Sequence, residues 1–375
     1  MTQTPLSSHL LPPLARAVRF VSLFLSLLLV APLAYAQQQA IPADKIKLIE
    51  AAVAAEMSRQ NIAGISVAVV TDNQLRWSNG YGFADVENYV PAKAATIYRL
   101  ASISKSITAV AAMQLAERGR LDLDAPVQKY CPAFPEKQWP VTVRHLLDHQ
   151  SGIRHYKSIE EYGSTRRYEG VAAGLEMFKN DPLLHEPGVK YTYTTFGYSV
   201  LGCAIEGASG QKFPDFVREN ILKPAAMDRM RIDDINEIIY NRAQGYRRTR
   251  TGELRNSDLA DNSYKLPGGG FVSTVEDLAK FAVAVQANTL LKKETAEQMF
   301  TRQRTRDGKE TDYGLGWSVQ VRNNQKIVGH SGAQQRVSTY LHLIPERNFA
   351  VVLMVNVEDT PLRALADRIT EIVLK

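Results

Sequence analysis

The chain has 375 residues, of which 45% are hydrophobic and 22% charged, and its formal net charge is +6. This is ordinary globular composition without internal repeats or low-complexity blocks, which excludes a disordered or fibrous chain. A basic excess this small does not indicate nucleic-acid binding, so we expect no nucleic-acid partner. The arginine-rich segment 242–255 surrounds a Thr-Gly pair and predicts a solvated hairpin.

The N-terminal segment differs from the rest of the chain. Arg16 and Arg19 precede an apolar run over residues 20–30, and a small-x-small triplet follows at 34–36. This order predicts a secretory signal peptide cleaved after Ala36, hence a secreted or periplasmic protein of 339 residues and net charge +4. The run is short for a membrane span, so we expect none after cleavage, although an uncleaved anchor stays open. A mitochondrial targeting segment fits less well, because the run is not amphipathic and arginine-rich.

The first elements of the mature chain are a helix and a hairpin. Asp44 is predicted to cap a helix with an apolar face formed by Ile46, Ile49, Val53 and Met57. Residues 64–71 form a β-branched run, residues 72–73 a turn, and residues 74–81 a second strand.

The next stretch carries the chemistry. Ser102 and Lys105 are three residues apart at the start of a nearly all-apolar segment, which predicts a buried helix that ends at Gly119. Both side chains then project from one face of the first turn. A serine becomes a nucleophile when a base takes its proton, and a desolvated lysine can be that base. Helix capping by Ser102 is the structural alternative.

The remaining pattern predicts the fold class. Residues 125–265 are helical and rich in loops, and strands return at 313–321, 326–329, 338–344 and 349–356 before a closing helix that begins at Pro361. Antiparallel hairpins argue against a doubly wound fold. We therefore predict an α/β (α+β) protein with an antiparallel sheet from both chain ends, flanked by helices. The predicted domains are a signal peptide (1–36), a sheet domain (37–124 and 266–375) and an inserted, mostly helical domain (125–265).

Several motifs in register resemble the serine beta-lactamase and penicillin-binding-protein superfamily, in particular its class C-like hydrolases and the LACTB-type serine proteases. Ser102-x-x-Lys105 matches the nucleophile motif. The other matching segments are 146–156, 187–188 with 191–198, the glycine turn 268–274, and Gly329-His330-Ser331-Gly332 at the place of Lys-Thr-Gly. The resemblance implies a beta-lactamase/transpeptidase-like fold.

The resemblance also implies site roles. Tyr193 would relay a proton to the leaving group, and Tyr191 is the competing candidate, which we expect to pack instead. Either Lys105 or Tyr193 would be the general base. The backbone N–H groups of Ser102 and Ala333 would form the oxyanion hole. Substrate-binding residues would be Thr195, His330, Ser331 and Gly332.

Two of these residues depart from the family pattern. Thr195 is at the position where the family has Asn, and His330 is at the position where the family has Lys. We expect His330 to bind a substrate carboxylate as an imidazolium or to support Tyr193. Both departures favour a peptidase or esterase over an antibiotic-hydrolysing enzyme.

Two other sets of residues call for a structural explanation. Cys131 and Cys203 are in apolar settings, which slightly favours buried free thiols over a disulfide. The set His145, Asp148, His149 and His155 has partial metal-ligand spacing but lacks the glutamate of a metalloprotease motif, so a structural role is favoured.

We therefore expect a secreted serine hydrolase without a cofactor. It would form an acyl-enzyme on Ser102 with a small-molecule or peptide substrate that has an amide or ester carbonyl. A peptidase is the first hypothesis. An esterase, a class C-type beta-lactamase and a penicillin-binding or sensing module without turnover stay open.

Overall fold

The structure is a computed structural model that describes residues 40–322 and 324–375. The predicted signal peptide lies outside the described residues. Within those ranges, no helix is both long enough and apolar enough to cross a membrane.

Antiparallel pairing joins the strands of the described ranges into one seven-stranded sheet, one three-stranded sheet and one hairpin. The strands are β1 (Gly64–Thr71), β2 (Gln74–Asp85), β3 (Val90–Pro91), β4 (Tyr98–Arg99), β5 (Arg231–Ile232), β6 (Tyr246–Arg248), β7 (Leu254–Asn256), β8 (Phe271–Ser273), β9 (Ser318–Arg322), β10 (Gln325–Gln334), β11 (Val337–Ile344) and β12 (Phe349–Val355). The large sheet has the order β3-β2-β1-β12-β11-β10-β9. Strands from both ends of the chain thus meet at the β1–β12 pair, which confirms the predicted antiparallel sheet.

Helices cover both faces of this sheet. The α-helices of the described ranges are α1 (Ala43–Gln60), α2 (Ile103–Glu117), α3 (Val143–Leu147), α4 (Ile159–Tyr162), α5 (Val171–Gly174), α6 (Thr195–Ser209), α7 (Phe213–Val217), α8 (Leu266–Gly269), α9 (Val275–Gln286), α10 (Lys293–Met299) and α11 (Arg363–Leu374). In β12, even-numbered residues 350–354 join the core that contains α2 and α9, and odd-numbered residues 351–355 join the core of α1 and α11. A strand buried on both faces is expected to be apolar throughout.

The predicted serine helix is α2, and it lies in the centre of the protein. Every residue from Ile103 to Leu115 is buried, and the helix packs against α6, α8 and β10. Gly119 follows with a φ of +66°, the left-handed conformation expected of a glycine stop. The helix start therefore buries Lys105 completely and leaves Ser102 half-buried at the end of the helix.

Several predicted boundaries were wrong. Asp44 lies inside the first turn of α1, where its carboxylate faces the positive end of the helix, and Pro42 takes the cap position. The strand predicted from residue 313 begins only at Ser318. Gly316 adopts a φ of +85° and a Cβ there would lie 2.2 Å from the Cβ of Ala109, so the chain turns against α2 at this point. Strand β10 continues past its predicted end to Gln334.

The prediction of free thiols was also wrong, because Cys131 and Cys203 form a disulfide with a Cα–Cα distance of 5.4 Å. Both residues are buried, and apolar neighbours alone do not distinguish a thiol from a disulfide sulfur. The bridge ties α6 to the chain before it. The arginine-rich segment forms the predicted β6–β7 hairpin. The division into a sheet domain and an inserted domain at 125–265 stays a prediction.

Candidate active site

Ser102 lies at the start of α2, where a loop is fixed from two sides. The backbone N–H of Leu100 donates to the Phe271 carbonyl at 2.8 Å, and the Thr339 hydroxyl donates to the Leu100 carbonyl at 3.0 Å. Ala101 then adopts a φ of +48°, which is uncommon for a residue with a Cβ. The turn is therefore held by its neighbours, as strained backbone at functional sites usually is, and it fixes the position of Ser102.

Lys105 is buried behind the serine and contacts only uncharged oxygens. Its Nζ lies 3.0 Å from Ser102 Oγ, 3.1 Å from Thr195 Oγ1 and 2.8 Å from the Gly268 carbonyl. Burial, and secondly the charge of Lys265, hold the pKa of Lys105 well below its usual 10.5. A neutral amine in this position can accept the proton of Ser102.

Tyr193 closes the other side of the serine. Its side chain borders the same cavity as Ser102, and its ring centroid lies 5.0 Å from the Lys105 Nζ. Burial raises the pKa of Tyr193 above its usual 10, so the phenol stays protonated and can donate a proton. Tyr193 borders the cavity that contains Ser102, whereas Tyr191 borders only a neighbouring cavity.

Thr195 lies where the resemblance predicted a substrate contact, but its hydroxyl already accepts a hydrogen bond from Lys105 at 3.1 Å. It is the first residue of α6, and its backbone N–H donates to His155 Nδ1 at 3.2 Å. The side chain is buried, although it borders the Ser102 cavity. This arrangement fixes the ammonium or amine group of Lys105.

The edge of β10 faces Ser102. Strand β9 pairs with β10 only as far as Gly329, and in the described ranges no further strand pairs with that edge beyond this point. Ser331 and Ala333 of the uncovered part border the Ser102 cavity. A free strand edge and a helix start both present unpaired N–H groups, which is what an oxyanion hole requires. The predicted pair of donors, Ser102 and Ala333, lines one cavity.

Gly332 has a packing position. A Cβ at this residue would lie 2.4 Å from the Leu100 carbonyl oxygen and 2.2 Å from Thr339 Oγ1. The absence of a side chain therefore allows β10 to approach the turn before the serine closely. Its neighbours Ser331 and Ala333 border the Ser102 cavity, whereas Gly332 does not.

His330 does not hold a charge as we expected. Its Nδ1 lies 2.6 Å from the Ser331 carbonyl and its Nε2 lies 2.9 Å from the Tyr313 hydroxyl. The carbonyl requires a proton on Nδ1, so Nε2 accepts from the phenol. Burial, together with the charge of Lys105, lowers the pKa of His330 to about 3. The ring is neutral near pH 7, and its centroid lies 6.3 Å from that of Tyr193, which fits the alternative of supporting the tyrosine.

The four residues considered as metal ligands make separate structural contacts. In the part of the chain that the structure describes, no group of three or more metal-ligating side chains converges. The contacts are Thr142 N–H to His145 Nδ1, Gln150 N–H to Asp148, Thr194 N–H to His149 Nδ1 and Thr195 N–H to His155 Nδ1.

The Ser102 cavity has a volume of about 240 Å³ and includes side chains to which the sequence analysis assigned no role. These are Tyr156, Tyr162, Lys265 and Gln334. Lys265, three residues before Gly268 of the glycine turn 268–274, was the available signal, but nothing in the sequence brings it next to Ser102. A second, larger cavity of about 770 Å³ adjoins the first and shares Tyr193 and Ser331 with it.

Comparisons with known proteins place the chain among relatives of known family. The family model "Beta-lactamase" matches residues 49–374. The chain is 34% identical to the human serine beta-lactamase-like protein LACTB, mitochondrial, over 377 aligned residues that cover 76% of this chain and 69% of that protein. It is 30% identical to penicillin-binding protein 4* of Bacillus subtilis (strain 168), with 79% and 68% covered.

Among solved structures, the octameric penicillin-binding protein homologue from Pyrococcus abyssi superimposes with a TM-score of 0.75 at 28% identity. The superposition covers 88% of this chain and 77% of that one. The family model, the sequence identities and the shared fold therefore agree. This chain belongs to the beta-lactamase family of serine hydrolases.

Proposed function

We propose that this protein is an exported serine peptidase that cleaves amide bonds through an acyl-enzyme on Ser102. The observation that carries the proposal is the buried Lys105 amine, 3.0 Å from the Ser102 hydroxyl and without an acidic partner among its contacts. Such an amine can be neutral near pH 7, whereas an ion-paired lysine would keep its proton.

In the first step, Lys105 takes the proton of Ser102 as Oγ attacks the carbonyl carbon. The carbonyl oxygen becomes an oxyanion that accepts hydrogen bonds from the N–H groups of Ser102 and Ala333. The C–N bond then breaks, and the leaving amine takes a proton from Tyr193, whose phenol regains one from Lys105. Water attacks the Ser102 ester in the second step, which releases the carboxylic acid and restores the serine.

Two observations support peptide amides over beta-lactam antibiotics. Thr195 replaces the family's asparagine and is occupied by Lys105. His330 replaces the family's lysine and is neutral. The relatives include a serine beta-lactamase-like protein and a penicillin-binding protein by name, so the beta-lactam is retained as a test compound.

Export is supported by the predicted signal peptide and by the disulfide between Cys131 and Cys203, since disulfides persist in oxidising compartments. The LACTB relatives are mitochondrial by name. Cell fractionation with mass analysis of the mature N-terminus tests this part: a chain beginning at Gln37 in the exported fraction is expected, and an intact N-terminus in the cytosol would contradict it.

The activity is tested by incubating the purified protein with aminoacyl amides, short-chain esters and a beta-lactam. We expect several turnovers of an amide and a single acyl adduct on Ser102 by peptide mass spectrometry, with neither in Ser102→Ala. An adduct without turnover would identify a binding or sensing module instead. Turnover that survives in Ser102→Ala would contradict the mechanism.

A further inference from the structure

The larger cavity, of about 770 Å³, has no role in the proposed mechanism, although it adjoins the reacting groups. It is bordered by Tyr193 and Ser331, which also border the Ser102 cavity, but not by Ser102 itself. In the proposed mechanism the leaving amine takes its proton from Tyr193. The part of the substrate that departs therefore lies on the Tyr193 side of Ser102, next to a cavity large enough to hold an organic ligand.

The inner wall of this cavity is aromatic. It is formed by Tyr191, Tyr193, Tyr313 and His330. The ring centroids of Tyr191 and Tyr313 are 5.9 Å apart with an interplanar angle of 48°, and those of Tyr313 and His330 are 5.8 Å apart at 90°. Rings in such tilted and edge-to-face contact present a continuous surface on which a further ring can pack.

The wall is fixed from behind by His149, which is completely buried. Its ring centroid lies 5.8 Å from that of Tyr191, 4.3 Å from that of Tyr193 and 4.7 Å from that of Tyr313. His149 is itself held in place, because its Nδ1 accepts a hydrogen bond from the Thr194 N–H at 3.2 Å. The rings are therefore preorganised, and a ligand that packs on them need not order them.

The three tyrosines of the wall differ in what they can contact. Tyr313 is only 4% exposed and its hydroxyl is hydrogen-bonded to His330. Tyr193 takes part in the proposed proton transfer. Tyr191 is half-buried and borders the larger cavity but not the Ser102 cavity. Its ring can thus contact the departing part of the substrate without touching the reacting atoms.

The charged residues at the rim of the cavity do not favour one sign of ligand charge. Glu310 and Asp312 each lie 3.1 Å from Arg302. The other charged residues of the rim are exposed, and they are Lys190, Asp307 and Lys309. Because water and salt screen charges at exposed positions, these residues select weakly. The aromatic wall is the feature of this cavity that can select a substrate.

We propose that the larger cavity binds an aromatic residue on the leaving part of the substrate, with Tyr191 as the specificity-determining contact. The inference rests on the proposed acyl-enzyme at Ser102. A phenylalanine, tyrosine or tryptophan that follows the cleaved bond would pack its ring on Tyr191, and an alanine could not. The protein therefore prefers peptide bonds that precede an aromatic residue.

The test compares substrates with one acyl part and different leaving residues. The acyl part is that of the aminoacyl amide that the wild type hydrolyses fastest, and it is joined to phenylalaninamide, alaninamide or argininamide. Release of each leaving amine is measured by liquid chromatography with mass detection. Since the acyl part and the groups that react are shared, a ratio of kcat/KM values isolates the contacts of the leaving residue.

We expect the wild type to give a phenylalanine-to-alanine ratio of about tenfold or more. Tyr191→Ala should bring this ratio below about threefold, whereas Tyr191→Phe keeps the ring and should keep the ratio. Tyr240→Ala is the matched control for the tyrosine-to-alanine change, because Tyr240 is 79% exposed and borders neither cavity. It should keep the wild-type ratio.

A wild-type ratio near one would overturn the inference and leave the proposed function intact. Faster release of argininamide than of phenylalaninamide would also overturn it, because the rim charges would then select the substrate. So would an unchanged ratio in folded Tyr191→Ala. Where a thermal melt shows that this variant does not fold, Tyr191→Leu replaces it and should lower the ratio at least about threefold. Absence of any hydrolysis and of any Ser102 adduct would instead contradict the proposed function itself.

Discussion

Two buried lysines lie near Ser102 in opposite surroundings. The Lys105 Nζ lies within hydrogen-bond distance of three oxygens, one of which belongs to the serine, whereas Lys265 is surrounded by three tyrosine rings. Burial lowers the pKa of both, to about 7 in the case of Lys265. Desolvation alone thus does not assign a role. The contacts do, because a lysine hydrogen-bonded to a hydroxyl can exchange protons with it, and a lysine without acceptors is available to a ligand.

The largest expected effect is the loss of kcat/KM on substitution of Lys105. Lys105→Met and Lys105→Arg should each lower kcat/KM at least ~10³-fold for all substrates, because methionine has no basic atom and a guanidinium does not deprotonate. Steady-state kinetics on aminoacyl amides measures the loss. A Lys105→Arg protein with more than a tenth of wild-type activity would contradict the role of Lys105 as base.

Tyr193→Phe tests whether proton donation to the leaving group is separate from the lysine chemistry. We expect a loss of about 10²-fold on amides, since an amine leaves poorly without a proton. The loss should be smaller on a nitrophenyl ester, whose leaving group needs no proton. Equal losses on the amide and the ester would show that Tyr193 acts on Ser102 rather than on the leaving group.

The burial of Lys265 should also affect how the free energy of unfolding depends on pH. The folded pKa of Lys265, about 7, lies below the unfolded value near 10.4, so the unfolded chain binds more protons between these values. The free energy of unfolding should therefore rise with pH in this window, by about 2 kcal/mol from pH 7 to 9. Urea titrations of wild type and Lys265→Met measure it. A slope that is equal in both proteins would mean that Lys265 is not desolvated.

The smallest effect concerns the support of Lys105. Thr195→Val removes one of its three acceptors and should lower kcat/KM about fivefold to tenfold, as the loss of one hydrogen bond of about 1 kcal/mol predicts. Thr195→Ser keeps the hydroxyl and should restore most of the activity. If serine were no better than valine, the methyl group rather than the hydroxyl of Thr195 would be the important part.

The parts of the fold that could be predicted follow from local periodicity. The β1–β2 hairpin and the buried helix α2 have patterns that only one structure satisfies, and β12 is apolar because both of its faces are covered. The strand predicted from residue 313 failed at Gly316, where a tertiary contact with α2 decides the backbone. The disulfide was not predicted for a similar reason: its cysteines are 72 residues apart in sequence, so only the tertiary fold brings them together.

The candidate site shows the same division. The spacing of Ser102 and Lys105 within one turn of helix is a local property, and it could be predicted. The neutrality of His330 depends on Tyr313, which is 17 residues away in sequence. Lys265 is 163 residues from Ser102 in sequence and reaches its cavity only through the packing of α2 against α8. Motifs fix which residues react, whereas their charges depend on neighbours that no local pattern contains.

The central claim is that Lys105 is the neutral amine that activates Ser102, and the pH dependence of Ser102 labelling tests it most directly. The rate of reaction with a fluorophosphonate, followed by intact mass from pH 5 to 11, should rise to a plateau with an apparent pKa well below 10.5. The stability of the protein at each pH is confirmed by circular dichroism. Ser102→Ala should show no adduct, and Lys105→Met should label at least ~10³-fold more slowly. A wild-type labelling rate that is still rising at pH 10.5, with the titration of an ordinary lysine, would contradict the account.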